Sequence, residues 1–158
     1  MHGASLKGLA IVSITEGTRL GRVDDLLIDV AQRNIVALQC SDQGKRFIVP
    51  FPLVRNIGQD AITVESSQVT QVDGQNGPTP GTVRLDDFMK LKVVDEAGSF
   101  IGNVNQVDID VVNGQMLSIN AHKGGVLGLG GTTTAIPAEQ IRAIGQEFVT
   151  VAIGETPA

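Results

Sequence analysis

Tryptophan and tyrosine are absent from this 158-residue chain, and five phenylalanines are its only aromatic residues. Single-stranded nucleic acids and sugars are gripped largely by aromatic stacking, so the chain lacks the platform those ligands need. Cationic clusters are missing as well. Twelve Lys and Arg stand against 17 Asp and Glu, a net charge of −5, and no basic run offers the positive footprint that a phosphate backbone requires. Cys40 is the single cysteine, which excludes an intrachain disulfide and a cysteine-rich zinc site and fits a reducing compartment. The apolar run at residues 9–12 is too short for a signal peptide, and no stretch approaches the roughly 18 apolar residues of a spanning helix. These absences lead to the expectation of a soluble cytoplasmic protein with no direct insertion into a membrane. What remains is 42% hydrophobic and rich in glycine, with 19 residues, the composition of a turn-rich globular chain of one domain or two small ones.

The chain repeats itself. Residues 17–38 lie over residues 98–119 at an offset of 98 − 17 = 81, with Gly17/Gly98, Gly21/Gly102, Val23/Val104, Ile28/Ile109, Asp29/Asp110 and Val30/Val111 identical. Residues 50–64 lie over 137–151 at an offset of 87, and include Arg55/Arg142 and the Ile57-Gly58-Gln59/Ile144-Gly145-Gln146 pair. The difference, 87 − 81 = 6, places six extra residues in copy two between 120 and 135. Residues 1–72 are read as copy one, 73–82 as a Gly- and Pro-rich linker and 83–158 as copy two. Each copy is small for an independent core, so the two are expected to bury apolar surface against each other, as a pseudo-twofold pair.

Within a copy the hydrophobic period is two, the mark of strands. Val107, Ile109 and Val111 alternate with Asp108 and Asp110, and Leu26, Ile28 and Val30 do the same around Leu27 and Asp29. Val23 and Val104 fall three residues before Leu26 and Val107, which predicts a bulge near Asp24 and Asn105. Asn113-Gly114 predicts a tight hairpin turn, with Gln32-Arg33-Asn34 in its place in copy one. Residues 53–57 and 138–144 suit one or two helical turns, and a last strand follows at 61–65 and at 147–152. The fold class is all-β: two small, closed or nearly closed barrels of five to six short strands, each with a helical turn.

Three segments carry a resemblance to a known family: Gly21-Arg22-Val23-Asp24-Asp25-Leu26-Leu27-Ile28-Asp29, Phe47-Ile48-Val49-Pro50-Phe51-Pro52-Leu53-Val54, and the glycine-rich stretch 124–131 followed by Ala135-Ile136-Pro137-Ala138-Glu139-Gln140-Ile141. Together they resemble the PRC-barrel, the fold of the cytoplasmic part of the photosynthetic reaction-centre H subunit, in two tandem copies covering nearly the whole chain. The resemblance implies small, bent β-barrels that act as docking or assembly modules, without catalysis and without universal site residues. The chain lacks the H subunit's membrane helix and the extra domain of the ribosome-maturation factor that also carries this barrel, so neither specific role transfers.

Candidate sites are few. The glycine-rich stretch has neither the Lys-Ser/Thr ending of a phosphate loop nor the dinucleotide spacing, and it carries Val126, Leu127 and Leu129 in place of polar groups. It reads as a hairpin flap packed on a barrel or, alternatively, as an exposed partner contact in the copy that holds the six extra residues. Asp24, Asp25 and Asp29 lack the spacing of a calcium loop and read as a solvated face, with Asp110 repeating Asp29. Arg55 and Arg142 read as structural, bonding strand carbonyls or a carboxylate. His122 has no second His or Cys near it in sequence, and Cys40, matched by Ala121, reads as a small buried side chain. No catalytic, cofactor or metal-binding residues are expected. The favoured reading is a non-enzymatic protein that docks a protein partner or assembles with itself. The alternatives are a small-ligand or metabolite sensor binding between the barrels and a peripheral partner of a membrane protein complex.

Overall fold

The computed structural model describes residues 1–72, 81–124 and 130–152. Copy one runs through β1 (Ala10–Ser13), β2 (Arg19–Asp29), β3 (Asn34–Asp42), β4 (Lys45–Pro50), β5 (Val54–Ile57), β6 (Ala61–Val64) and β7 (Gln71–Val72). Copy two follows with β8 (Thr82–Arg84), the one-turn helix α1 (Leu85–Phe88), β9 (Lys92–Asp95), β10 (Phe100–Ile109), β11 (Met116–Gly124), β12 (Gly131–Pro137), β13 (Ile141–Ile144) and β14 (Phe148–Val151). The fold is all-β, in two sheets ordered β5-β6-β1-β2-β3-β4-β7, with β8 also on β2, and β12-β11-β10-β9-β14-β13. Among the described residues only β1–β6 and β9–β14 pair in parallel.

The expected closure is not seen: among the described residues neither sheet returns to its first strand. The reason lies at the prolines. Pro50 and Pro137 end β4 and β12 and lead into three-residue 3-10 turns, Phe51–Leu53 and Ala138–Gln140. Beyond each turn the chain pairs onward, β5 with β6 and β13 with β14, and not back onto the strand it has left. The helical turns predicted over 53–57 and 138–144 therefore shrink to these 3-10 turns, and the rest is strand. The β-branched Val54, Ile57, Ile141 and Ile144 suit the pleated surface better than a helix.

Each sheet bends about its longest strand. β2 pairs with β1 over its first half and with β8 over its last three residues, while β3 lies along most of its other edge. The bulges predicted near Asp24 and Asn105 are present, as register shifts between Val23 and Asp25 and between Val104 and Gln106. Where each strand curls, the repeated glycines are required: a Cβ on Gly21 would stand 2.5 Å from the Ser41 carbonyl oxygen, and one on Gly102 2.6 Å from the backbone of His122. Ser41 and His122 are themselves one repeat apart, so the same close approach is built twice.

The predicted turns are longer than two residues. Asp29 pairs with Asn34, leaving four residues in the loop, and the Arg33 N–H donates to the Asp29 carbonyl at 2.7 Å. The Asp29 carboxylate accepts from the N–H groups of Ala31 and Gln32 at 2.9 and 2.8 Å, and Asp110 accepts from Val112 at 2.8 Å. The repeated aspartates are thus turn caps, short acceptors that satisfy loop N–H groups, and not merely charges on a wet face. Leu27, expected opposite the core face, is also buried, because β8 pairs with its strand and α1 packs on it.

The end of the predicted linker, Thr82, lies inside the fold, and so do the chain's first residues, which carry no strand period. Gly3–Leu6 forms a 3-10 turn with Leu6 fully buried, and Thr82 opens β8. One continuous hydrophobic cluster runs through both copies, including Leu26 and Leu38 of the first and Phe88 and Ile119 of the second. Among the described residues no helix is long and apolar enough to cross a membrane.

Candidate functional site

The two copies exchange backbone. β8, which leads into copy two, lies antiparallel on β2 of copy one, while His2, at the start of copy one, bridges to Asp108 of β10. The Ile109 N–H donates to the Met1 carbonyl at 2.9 Å, and His2 Nδ1 lies 2.7 Å from an Asp108 carboxylate oxygen. The hairpin turns are exchanged in the same way. Ile35 N–H donates to the Gly114 carbonyl and Met116 N–H to the Arg33 carbonyl, both at 2.9 Å. The second bond is the first with the copies interchanged, since 35 + 81 = 116 and 114 − 81 = 33. The Arg33 guanidinium also donates to the Arg142 carbonyl at 3.3 Å.

Beside β8 this junction carries a charged cluster. Asp24, Asp25, Cys40, Arg46, Arg84 and Asp86 line a hollow of about 240 Å³. Asp24 is exposed, while Asp25, on the same face of β2 as Leu27 and opposite the core residues Leu26 and Ile28, is buried beside β8 and α1. That corrects the reading of Asp25 as part of a solvated face. Its Oδ1 accepts from the Leu26 N–H at 2.8 Å and from the Asp86 N–H at 3.4 Å, which ties β2 to α1. Burial pushes the Asp25 carboxyl above its usual range, and the Asp86 charge pushes the same way, against the hydrogen bond from Leu26. Lys7 pairs with Asp86, and this hydrogen bond raises the Lys7 pKa. Arg84 Nε is buried without a hydrogen-bond partner. Copy two has Asn105 and Gln106 where copy one has Asp24 and Asp25, and Gln106 Oε1 accepts from the Asn120 amide at 2.9 Å.

The other singled-out residues lie apart. Cys40 is buried, its thiol 3.7 Å from the Leu38 carbonyl, and burial pushes its pKa up to about 12, far from a reactive thiolate. His122 Nδ1 lies 3.0 Å from Thr133 Oγ1 across the β11–β12 ladder. Arg55 pairs with Glu65 at 2.6 Å and Arg142 with Glu96 at 2.9 Å, both on the surface. No group of three or more metal-ligating side chains is gathered among the described residues. A cleft of about 600 Å³, lined in part by Val30, Val83, Lys90, Lys92 and Glu147, opens between the turn of copy one and the end of copy two.

Val126, Leu127 and Leu129 lie outside the described residues. Their flanks are described and locate the extra residues. In copy one the β3–β4 ladder closes at Asp42–Lys45, leaving two residues in the turn. In copy two the ladder runs one pair further, to Gly124–Gly131, and leaves six, 125–130. The six extra residues therefore fall between Gly124 and Gly131, where sequence spacing alone placed them only within 120–135. The buried Asp25 escaped sequence reading, because its burial comes from α1, distant in sequence.

Comparison with protein families gives one result: the model of the PRC-barrel domain matches residues 1–71 and again 80–156. No curated protein matches the chain.

Proposed function

Because this chain belongs to the PRC-barrel domain family, twice over, we propose that it is a non-enzymatic cytoplasmic protein that docks a protein partner or assembles with itself, its copies acting as one pseudo-twofold unit. The observation that carries this reading is a departure from the repeat. The copies exchange backbone bonds, yet copy two alone carries six extra residues between β11 and β12, with Val126, Leu127 and Leu129 in that stretch of sequence. An apolar insertion between two glycine-flanked strand ends suits contact with another surface, since large apolar patches on proteins usually mark such contacts. The partner is a protein and not nucleic acid, in keeping with the net charge of −5.

The test is affinity capture from native lysate, including detergent-solubilised membranes, with wild type and a Leu127→Asp, Leu129→Asp variant of matched thermal stability. The reading expects a partner, or tagged copies of the chain itself, held by wild type and lost by the variant. Equal capture by both removes the tip from the contact, and no capture by either removes the docking reading.

The cleft of about 600 Å³ favours a second reading, a sensor of a small ligand seated between the copies. Saturable thermal stabilisation by a metabolite, abolished by Lys90→Glu with Lys92→Glu, is its expected sign.

A further inference from the structure

A polar side chain drawn out of water costs free energy unless another group of the protein bonds it. Copy two obeys this rule where its long hairpin meets the start of the chain. Gln106 Oε1 accepts from the Asn120 amide at 2.9 Å, His2 Nδ1 lies 2.7 Å from Asp108, and Thr133 Oγ1 lies 3.0 Å from His122 Nδ1. Each of these groups has its partner inside the chain.

The matching positions of copy one break the rule. The offset of 81 carries Gln106 and Asn120 back to Asp25 and Gln39, which also stand opposite each other in their ladder but share no hydrogen bond. The offset of 87 carries Thr133 back to Arg46, and Arg84 stands opposite Leu27 as His2 stands opposite Asp108, one repeat away. Among the described residues the side chains of Gln39, Arg46 and Arg84 make no hydrogen bond and no ion pair, and Arg84 Nε is buried in that state. Asp25 is only 6% exposed; its Oδ1 takes the N–H groups of both Leu26 and Asp86, and its Oδ2 takes none. These four side chains, with Asp24 and Asp86, surround the hollow of about 240 Å³. Neutral, mutually bonded groups in copy two thus face charges of both signs, held apart, in copy one.

We propose that this hollow binds a free α-amino acid, its carboxylate held by Arg46 and Arg84 and its ammonium by Asp24 and Asp25. The binding function is separate from the docking reading and uses neither the six extra residues of copy two nor the cleft of about 600 Å³. Charge selects the ligand class. The lining carries two guanidinium groups and three carboxylates, and Lys7, paired with Asp86, brings the local sum to zero. A simple anion meets three carboxylates there and a metal cation meets two guanidinium groups, whereas a zwitterion uses both sets. Guanidinium presents paired N–H donors that match the two oxygens of a carboxylate, and the Gln39 amide is left to bond a polar side chain of the ligand. Size narrows the class: about 240 Å³ lies below the ~300–1,000 Å³ of sites for drug-sized ligands, which excludes nucleotides and large cofactors. Because Arg84 and Asp86 come from copy two and the other residues from copy one, the bound molecule ties the copies together.

The experiment is thermal unfolding of the full chain with each common L-amino acid and glycine in turn, paired with NMR of the side-chain N–H groups of Gln39 and Arg84. At least one amino acid is expected to raise the unfolding midpoint saturably and to move both signals. Acetate and methylammonium, which carry one charge each, and glycine betaine, which has no N–H to donate, should do neither. The Asp24→Asn, Arg46→Thr double variant gives two exposed positions the residues that copy two holds, so its midpoint without ligand should stay near wild type. Its affinity should fall about tenfold or more, as paired charged hydrogen bonds are lost. Four outcomes overturn the proposal: no amino acid acting on wild type, equal binding by the double variant, acetate or betaine acting as strongly, or signals of Lys90 and Lys92 moving in place of those of Gln39 and Arg84. The last places the ligand in the cleft of the second reading, and none of the four bears on partner capture.

Discussion

The backbone N–H of Ile35 donates to the carbonyl of Gly114 at 2.9 Å, bonding the first long hairpin of one copy to the corresponding turn of the other. Its interchanged twin runs from Met116 to Arg33 at the same distance. These bonds join two sheets of modest size at their turns, beside the strand exchanges at β8 and His2. A family built on small bent sheets gains from such a junction, because a module of about 70 residues has little interior of its own.

Gly114 is where this junction is tightest. Its φ is +75°, and a Cβ there would stand 2.8 Å from the Phe51 ring. The repeat inverts the pair: Arg33 stands in the place of Gly114, at φ +56°, and Ala138 in the place of Phe51. Gly114→Ala is expected to cost on the order of 2 kcal/mol in urea unfolding, from backbone strain and overpacking together. Phe51→Ala should relieve the overpacking part, so a double-mutant cycle should show coupling of about 1 kcal/mol or more. Strict additivity would mean that the ring yields freely.

Leu6 tests the segment that sequence periodicity passed over. It is fully buried in the common core, at the end of the 3-10 turn Gly3–Leu6, and Phe88, at the end of α1, is likewise fully buried in copy two. Leu6→Ala is expected to lower unfolding stability by about 2 to 5 kcal/mol, the range for truncating a buried leucine. Met1→Ala, at a residue 43% exposed, should change it little. A null effect for Leu6→Ala, read by urea titration, would show that the Gly3–Leu6 turn adds nothing to the common core.

Much of the fold is legible because it is written twice. An offset of 81 aligns the long hairpins, and an alternation that slips by one residue at Val23 and Val104 reveals the bulges that bend them. What escapes is shorter than the signal that would carry it. The 3-10 turn at Leu6 and the single turn of α1 span four residues each, too few for a period to register. Edge closure escapes for a different reason. Whether β4 or β12 lies at an edge depends on a covering strand distant in sequence, and alternation within the strand reads the same either way. Asp25 escapes for the same reason: past the slip it lies on the face of β2 opposite the core, and its burial comes from α1, distant in sequence, whose Asp86 N–H it accepts.

The buried Asp25 gives the fold a pH dependence whose sign can be worked out. Burial raises its pKa, the carboxylate of Asp86 adds to this, and the hydrogen bond from the Leu26 N–H opposes it. The native chain therefore keeps a proton over a range in which the unfolded chain has released it. Stability from this group is greatest when it is protonated, below the unfolded value of about 4, and falls as pH rises through the folded value. Asp25→Asn keeps an oxygen to accept from Leu26 and removes the charge, as Gln106 does in copy two. The variant is expected to be more stable than wild type at pH 7, with the gain shrinking as pH falls toward 4. Glu16 has the opposite sign, its pKa lowered by the Ser67 N–H and by the hydroxyls of Ser13 and Ser67, so its contribution fades as acid is added. It acts equally in both proteins and cancels from their difference. Thermal unfolding midpoints of the pair from pH 4 to pH 8 make the measurement. A variant less stable than wild type at pH 7, with the deficit shrinking as pH falls toward 4, would show that Lys7 and the Asp86 N–H need the charge more than burial opposes it.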